Sequence, residues 1–262
     1  MATATIIDAL FCLPKNTKVL RIADCVPFNQ DLSPLMKAGG ITGAVLAPCL
    51  CGACQHQWNC ADRRTQEVLN VVEKNQNPLR GLASYDPLRI GDSLRWIDES
   101  VEEGTLSGAY AQAECCVAGL DARRMYPLYG LCAKLRAPVV LDFSSRESWA
   151  HQRPQVEVVA ADFPELDILL AMPPHPDVPS MIRMMQRFPR VVFLVSPPDM
   201  QAELCEYVEA QGREHVAFRA YPLSWTAATE AAMTMPLSTG ARHAYLFENA
   251  ARLFRFPIEV PA

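Results

Sequence analysis

Ile6-Ile7-Asp8-Ala9-Leu10-Phe11-Cys12-Leu13-Pro14 stands near the start of the chain, and seven of its nine residues are apolar. A short run of this kind, bounded by proline, reads as a buried strand whose C-terminal end opens into a loop at Pro14. Working outward, strand-like runs alternate with helical patterns. Strands are expected at 40–48, 80–87, 106–112, 137–143, 166–172, 191–196 and 215–220. Helices are expected at 62–73, 93–103, 123–135, 155–162, 179–187, 200–211 and 240–254, with Gly104 where a C-cap glycine belongs. Strands separated by helices run parallel, because each crossover returns the chain to the same edge. Eight such units close into a (β/α)8 TIM-type barrel, with the last helix packed on it. An open doubly wound sheet is the alternative, but no Gly-x-Gly-x-x-Gly follows the first strand, so nothing points to a dinucleotide fold.

The chain has 262 residues, half of them hydrophobic, enough for one barrel domain over residues 1–262. Net charge is -5 and there is no basic cluster, which excludes the electrostatic footprint of a nucleic-acid binder. No apolar run approaches the ~20 residues of a membrane span. Met1-Ala2-Thr3-Ala4 lacks the features of a signal peptide, and the ten cysteines then read as reduced thiols of a cytoplasmic protein.

Five blocks in barrel-compatible order carry a resemblance. They are the first strand, Arg80-Gly81-Leu82-Ala83-Ser84-Tyr85-Asp86-Pro87, Phe163-Pro164-Glu165-Leu166-Asp167-Ile168-Leu169-Leu170-Ala171, Phe188-Pro189-Arg190-Val191-Val192-Phe193-Leu194, and Glu248-Asn249-Ala250-Ala251-Arg252-Leu253-Phe254. Together they resemble the amidohydrolase superfamily, specifically the amidohydrolase-related, aminocarboxymuconate-semialdehyde decarboxylase-like group. That resemblance implies a barrel with a divalent metal, usually zinc. The ligands are His-x-His on strand one, His on strands five and six, and Asp after strand eight. At those positions this chain has Leu10 and Cys12, Asp142, Met172 and Ala220. Leucine and alanine cannot ligate and methionine prefers soft metals, so the expectation is a barrel without a metal cofactor. Zinc returns only if His175 and the loop carrying Cys49, Cys51, Cys54, His56 and Cys60 converge on one ion. That loop's spacing matches none of the usual ligand patterns and reads instead as a thiol-rich lid, with Cys115-Cys116 at the same end of the barrel.

Barrel active sites sit at the C-terminal strand ends, which places Cys12, Asp86, Gln112, Glu114, Asp142, Ser144, Ser145, His175, Arg219, Tyr221 and Trp225 at the mouth. Asp142 ends an apolar strand. It is either a general base or the structural partner of Arg219. His175 suits acid–base work or a rigid proline-framed loop, and Cys12 a nucleophile or a small buried hydrophobe. Arg219 and Tyr221, with Gln112, Glu114 and Trp225, are the candidate substrate contacts. Taken together, these residues describe a metal-independent lyase, hydrolase or isomerase acting on a small carboxylate-bearing molecule. The competing reading is a non-catalytic pseudoenzyme that binds a small ligand or partner protein, its mouth closed by Leu10, Met172 and Phe218. Met181, Met184 and Met185 beside Ile182 read as core or as a subunit contact, and a homodimer is expected.

Overall fold

The computed structural model describes residues 5–12, 31–48, 60–75, 78–116 and 119–256. The expected cysteine-rich lid, Cys49, Cys51, Cys54 and His56, lies outside these residues, as do the side chains of Cys60 and Cys115. The strands are β1 (Ile7–Cys12), β2 (Gly43–Ala47), β3 (Leu79–Ser84), β4 (Gly108–Gln112), β5 (Val139–Asp142), β6 (Ile168–Ala171), β7 (Val191–Val195) and β8 (Val216–Phe218). They form one parallel sheet in sequence order, curled until β8 lies beside β1. This is the expected (β/α)8 barrel, not the open sheet.

The register explains how a nearly all-apolar sequence supplies both faces. Tyr110, Val140, Leu169 and Val192 are successive register partners and pack in the barrel interior. One layer nearer the mouth, the register aligns Gln112, Asp142, Ala171 and Leu194. Alternate residues, such as Leu141, Leu170 and Phe193, join the outer core beneath the helices. Strands buried on both faces need apolar residues at both parities, which is why no clean alternation is visible in the sequence.

The helices are α1 (Ser33–Ala38), α2 (Cys60–Lys74), α3 (Ile90–Glu102), α4 (Tyr126–Leu135), α5 (Arg146–Asp162), α6 (Val178–Arg187), α7 (Ala202–Tyr207), α8 (Trp225–Met233), α9 (Thr239–His243) and α10 (Asn249–Phe254). Gly104 follows α3 at φ +74°, the left-handed C-cap geometry its position suggests. Three differences from the sequence reading have physical causes. Helix α5 begins nine residues before the expected 155, running through Pro154. Interior proline costs about 3 kcal/mol, offset here by the Ser145 cap on the Ser148 amide and by Trp149 packed edge-on against Phe143 and Phe193. The short α1, opened by Pro34 and closed at Gly39, and the alanine-rich α8 lack the long apolar stripe that marks the other helices. Met181, Met184 and Met185 are buried core residues of α6.

Two predictions follow locally. Ser145→Ala should lower stability by about 1 kcal/mol, as loss of an N-cap does, read as a shifted urea midpoint with unchanged slope. Gly108 opens β4, where an added Cβ would lie 2.5 Å from the Pro138 carbonyl oxygen. Backbone cannot yield as a flexible side chain would, so Gly108→Ala should cost about 2 kcal/mol or more in the same measurement.

Residues 239–256 close the other side of the barrel. From Thr239 to Phe254 the helix is continuous through a π-turn at Ala244–Glu248. Asn249 Nδ2 donates to the carbonyls of Arg213 and Val216 (2.8 Å each), and Tyr245 Oη to that of Val195 (2.9 Å). Arg255 then reaches the carbonyls of Leu135 and Arg136, just before β5, while Arg80 at the start of β3 stacks over Phe256. Among the described residues, no helix is long and apolar enough to cross a membrane.

Candidate active site at the barrel mouth

Two strand ends and the exit of a third assemble a polar cluster. Asp142 closes β5 and Tyr110 lies on the inward face of neighbouring β4, so the Tyr110 hydroxyl donates to Asp142 Oδ2 at 2.8 Å. Arg219 follows β8, and its amide still bonds to the Val195 carbonyl (3.1 Å), which keeps the inward parity of Ala217. Its Nη2 sits 3.4 Å from Asp142 Oδ1, and its Nη1 donates to the Met172 carbonyl at 3.4 Å. The guanidinium also stacks at 5.1 Å from the centre of the Tyr221 ring, which is exposed. Burial opposes the Arg219 charge, but Asp142 foremost, then Cys12, Tyr110 and Asp8, hold the group firmly protonated.

Arg219 is only 4% exposed and its Nε–H has no partner. A guanidinium offers five donors in a fixed fork, and here two long contacts occupy a minority of them. Gln112 Oε1 and the Ser84 hydroxyl are likewise buried without hydrogen bonds, both at interior positions near the strand ends. Unsatisfied buried polar atoms are uncommon in native proteins and call for an explanation. Three of them around one barrel interior are what a polar ligand would satisfy.

A second buried carboxylate, missed in the sequence reading, is Asp8. It is fully buried on β1, where the ladder to β2 runs Asp8↔Ala44 and then Phe11↔Leu46, three steps against two. Asp8 faces outward by simple alternation with the interior Ile7 and Ala9, and the bulge after it lets the Leu10 amide donate to Asp8 Oδ1 at 3.2 Å. The same oxygen accepts the Ala220 amide at 3.3 Å, and Oδ2 accepts Trp225 Nε1–H at 2.7 Å. Burial raises the Asp8 carboxyl above its ordinary range despite these donors and the nearby Arg219 charge. The available signal was a lone carboxylate inside an apolar strand, which must be partnered if buried.

The remaining candidates separate. Trp225 is buried, stacked at 4.5 Å on Phe11 and bonded to Asp8. Glu114 accepts the Ser144 amide (2.7 Å) and hydroxyl (2.8 Å), and despite the upward push of partial burial these and neighbouring donors hold its carboxyl below the usual range. His175, at φ +57°, gives its amide to Asp199 Oδ1 (2.7 Å) while its ring, 83% exposed, points to solvent. Asp199 is also held by the Ser196 hydroxyl at 2.7 Å, and no bond links this group to Asp142. Cys12 is half-buried, its register partner being Ala47 of the interior layer. Of the three side chains expected to close the mouth, Leu10 packs in the barrel interior, whereas Met172 and Phe218 belong to the outer core, Phe218 edge-on to Tyr245.

The positions that the family resemblance assigns to metal ligands are occupied as follows. Leu10 is fully buried and apolar, Met172 and Ala220 are in the outer core, and Asp142 already faces a permanent cation and a phenol. Among the described residues, no three His, Cys, Asp or Glu side chains converge as a metal site would need. Two clefts of about 450 and 410 Å³ lie away from this cluster, one beside Arg136 and Arg190, the other beside Arg146 and Arg153.

An eight-stranded parallel barrel with polar side chains gathered at its C-terminal strand ends defines the enzyme-bearing class of TIM-type barrels. Within that class the chain belongs to the amidohydrolase family, which its residues 28–256 match. Among solved structures it is similar to 5-carboxyvanillate decarboxylase from Sphingomonas paucimobilis (14% identity, 97% of this chain and 100% of that one, TM-score 0.73). It is also similar to 5-carboxyvanillate decarboxylase from Novosphingobium aromaticivorans complexed with manganese and 4-hydroxy-3-methoxy-5-nitrobenzoic acid (12%, 97% and 96%, TM-score 0.74). A third is 2,6-dihydroxybenzoate decarboxylase complexed with 2,6-dihydroxybenzoate (17%, 98% and 100%, TM-score 0.71). No curated protein matches the sequence.

Proposed function

We propose that this barrel is a metal-independent lyase that acts on a small carboxylate-bearing molecule at its C-terminal mouth. The observation that carries the reading is Arg219, buried and charged, with an unpartnered Nε–H beside Asp142. A substrate carboxylate satisfies Arg219 bidentately, as a planar guanidinium favours, and the exposed Tyr221 ring offers the apolar part of the molecule a surface. The Tyr110 hydroxyl, hydrogen-bonded to Asp142 at 2.8 Å, is a proton-bearing group beside that anchor. Lyase chemistry needs such a carrier: when a carbon–carbon bond breaks and carbon dioxide leaves, the electron pair left on carbon must take a proton. That two related folds are decarboxylases of aromatic acids supports this reaction class over hydrolysis or isomerisation.

Metal independence rests on the donor set, in which an arginine stands against the one carboxylate at a family ligand position. Elemental mass spectrometry on protein purified without added metal or chelator tests it. Less than a tenth of an equivalent, with unchanged carbon dioxide release from a panel of aromatic and aliphatic monocarboxylic acids after dialysis against EDTA, is expected. A full equivalent of zinc or manganese, lost together with activity, would overturn it and return the cysteine-rich segment to the ligand search.

A further inference from the structure

Asp8 has no part in the chemistry above, yet three elements meet on its two oxygens. Between β8 and β1 no ladder is formed among the described residues, although every other neighbouring pair of strands has one. The Asp8 carboxyl stands in for it. Oδ1 spans from the bulged Leu10 amide on β1 to the Ala220 amide after β8, and Oδ2 holds the indole of Trp225 at the start of α8. Arg219 is thereby fixed on both sides, its own amide on Val195 of β7 and the next amide on Asp8 of β1. Its side chain points into the barrel while Asp8, outward between the interior Ile7 and Ala9, lies behind it.

We propose that Asp8 is a positioning residue: by joining β1 to the Ala220 amide and Trp225, it sets the backbone from which Arg219 presents its guanidinium to the barrel interior. This rests on the reading of Arg219 as the substrate anchor, but its test needs no substrate. Removing the carboxylate frees the Ala220 amide and lets the segment carrying Arg219 drift from Asp142. Asparagine keeps one acceptor oxygen and cannot satisfy both the two amides and the indole.

The experiment is 15N-resolved NMR of the full chain. The Arg219 Nε–H signal is assigned with Arg219→Lys and the Trp225 indole signal with Trp225→Phe. In the unsubstituted protein the Arg219 Nε–H is expected to be rigid and protected from exchange with water. In Asp8→Asn both signals should shift, and the Arg219 signal should lose its protection. A shift confined to Trp225, with Arg219 still rigid and protected, would overturn the proposal and leave Asp8 a purely structural staple. If Asp8→Asn does not fold, Asp8→Ser gives the same readout, since it removes the carboxyl and with it the bond to the Ala220 amide. Rigidity unchanged in that variant overturns the proposal, and lost protection supports it. Failure of the anchor reading is seen separately, as an Arg219 signal in the unsubstituted protein that benzoate does not move.

Discussion

Arg219→Met is expected to lower the unfolding free energy by about 3 kcal/mol, the lower end of what breaking a buried ion pair costs. The partners are 5% and 15% exposed at the side chain, so solvent replaces little of what is lost. Methionine fills most of the space, and the change therefore reports charge more than volume. Asp142 is left with the Tyr110 hydroxyl and no cation. The Asp142→Asn/Arg219→Met double variant should recover part of the loss, because the orphaned charge is then gone. Urea unfolding of the four proteins gives the coupling as a double-mutant cycle. A double variant as unstable as the sum of the two single changes would show that the pair is not coupled in the folded protein. The same Arg219 variant should release no carbon dioxide from an acid that the unsubstituted protein decarboxylates, whereas Tyr110→Phe, losing one neutral hydroxyl, should be folded and slowed.

Trp225→Ala should cost about 4 kcal/mol, as large-to-small changes of buried tryptophan do. Two terms contribute. The indole is stacked on Phe11, and its N–H is the closest donor to the fully buried Asp8 carboxyl. Trp225→Phe separates them: the ring contact is largely kept and the hydrogen bond is lost, so about 1–2 kcal/mol is expected from the under-satisfied carboxylate. Chemical denaturation of both variants measures the split. Equal losses in the two would mean that the bond to Asp8 dominates and packing contributes little.

Much of the fold was readable because periodic burial leaves a plain trace. Strands β5, β6 and β7 are continuous apolar runs, which only a sheet covered on both faces requires, and the helices between them supply the cover. Of the site, Asp142 and Arg219 stood out as charges at apolar strand ends. Tyr110 did not, since a tyrosine within an apolar strand looks like core until its hydroxyl is seen on Asp142. Trp225 was placed at the mouth by its position after the eighth strand, and the indole turned out to reach back to Asp8. The bulge in β1 could not be read at all. It depends on a mismatch with β2, a property of two strands together and not of either sequence. Helix α5 was read short, from 155, because its first half depends on the Ser145 cap and on aromatic packing by Trp149, which no apolar periodicity announces.

The contacts between Asp8 and Trp225 join residues 217 positions apart, and Arg80 meets the Arg255 carbonyl across 175. Protein synthesis delivers these partners in one direction, first strand early and closing helix late. A nascent chain that has emerged only through β7 would therefore display a sheet with a free edge at β1 and an uncovered underside. Barrel closure waits for the segment that follows, and a chain stalled or truncated before it is an adhesive, unfinished barrel, not a slightly shortened one.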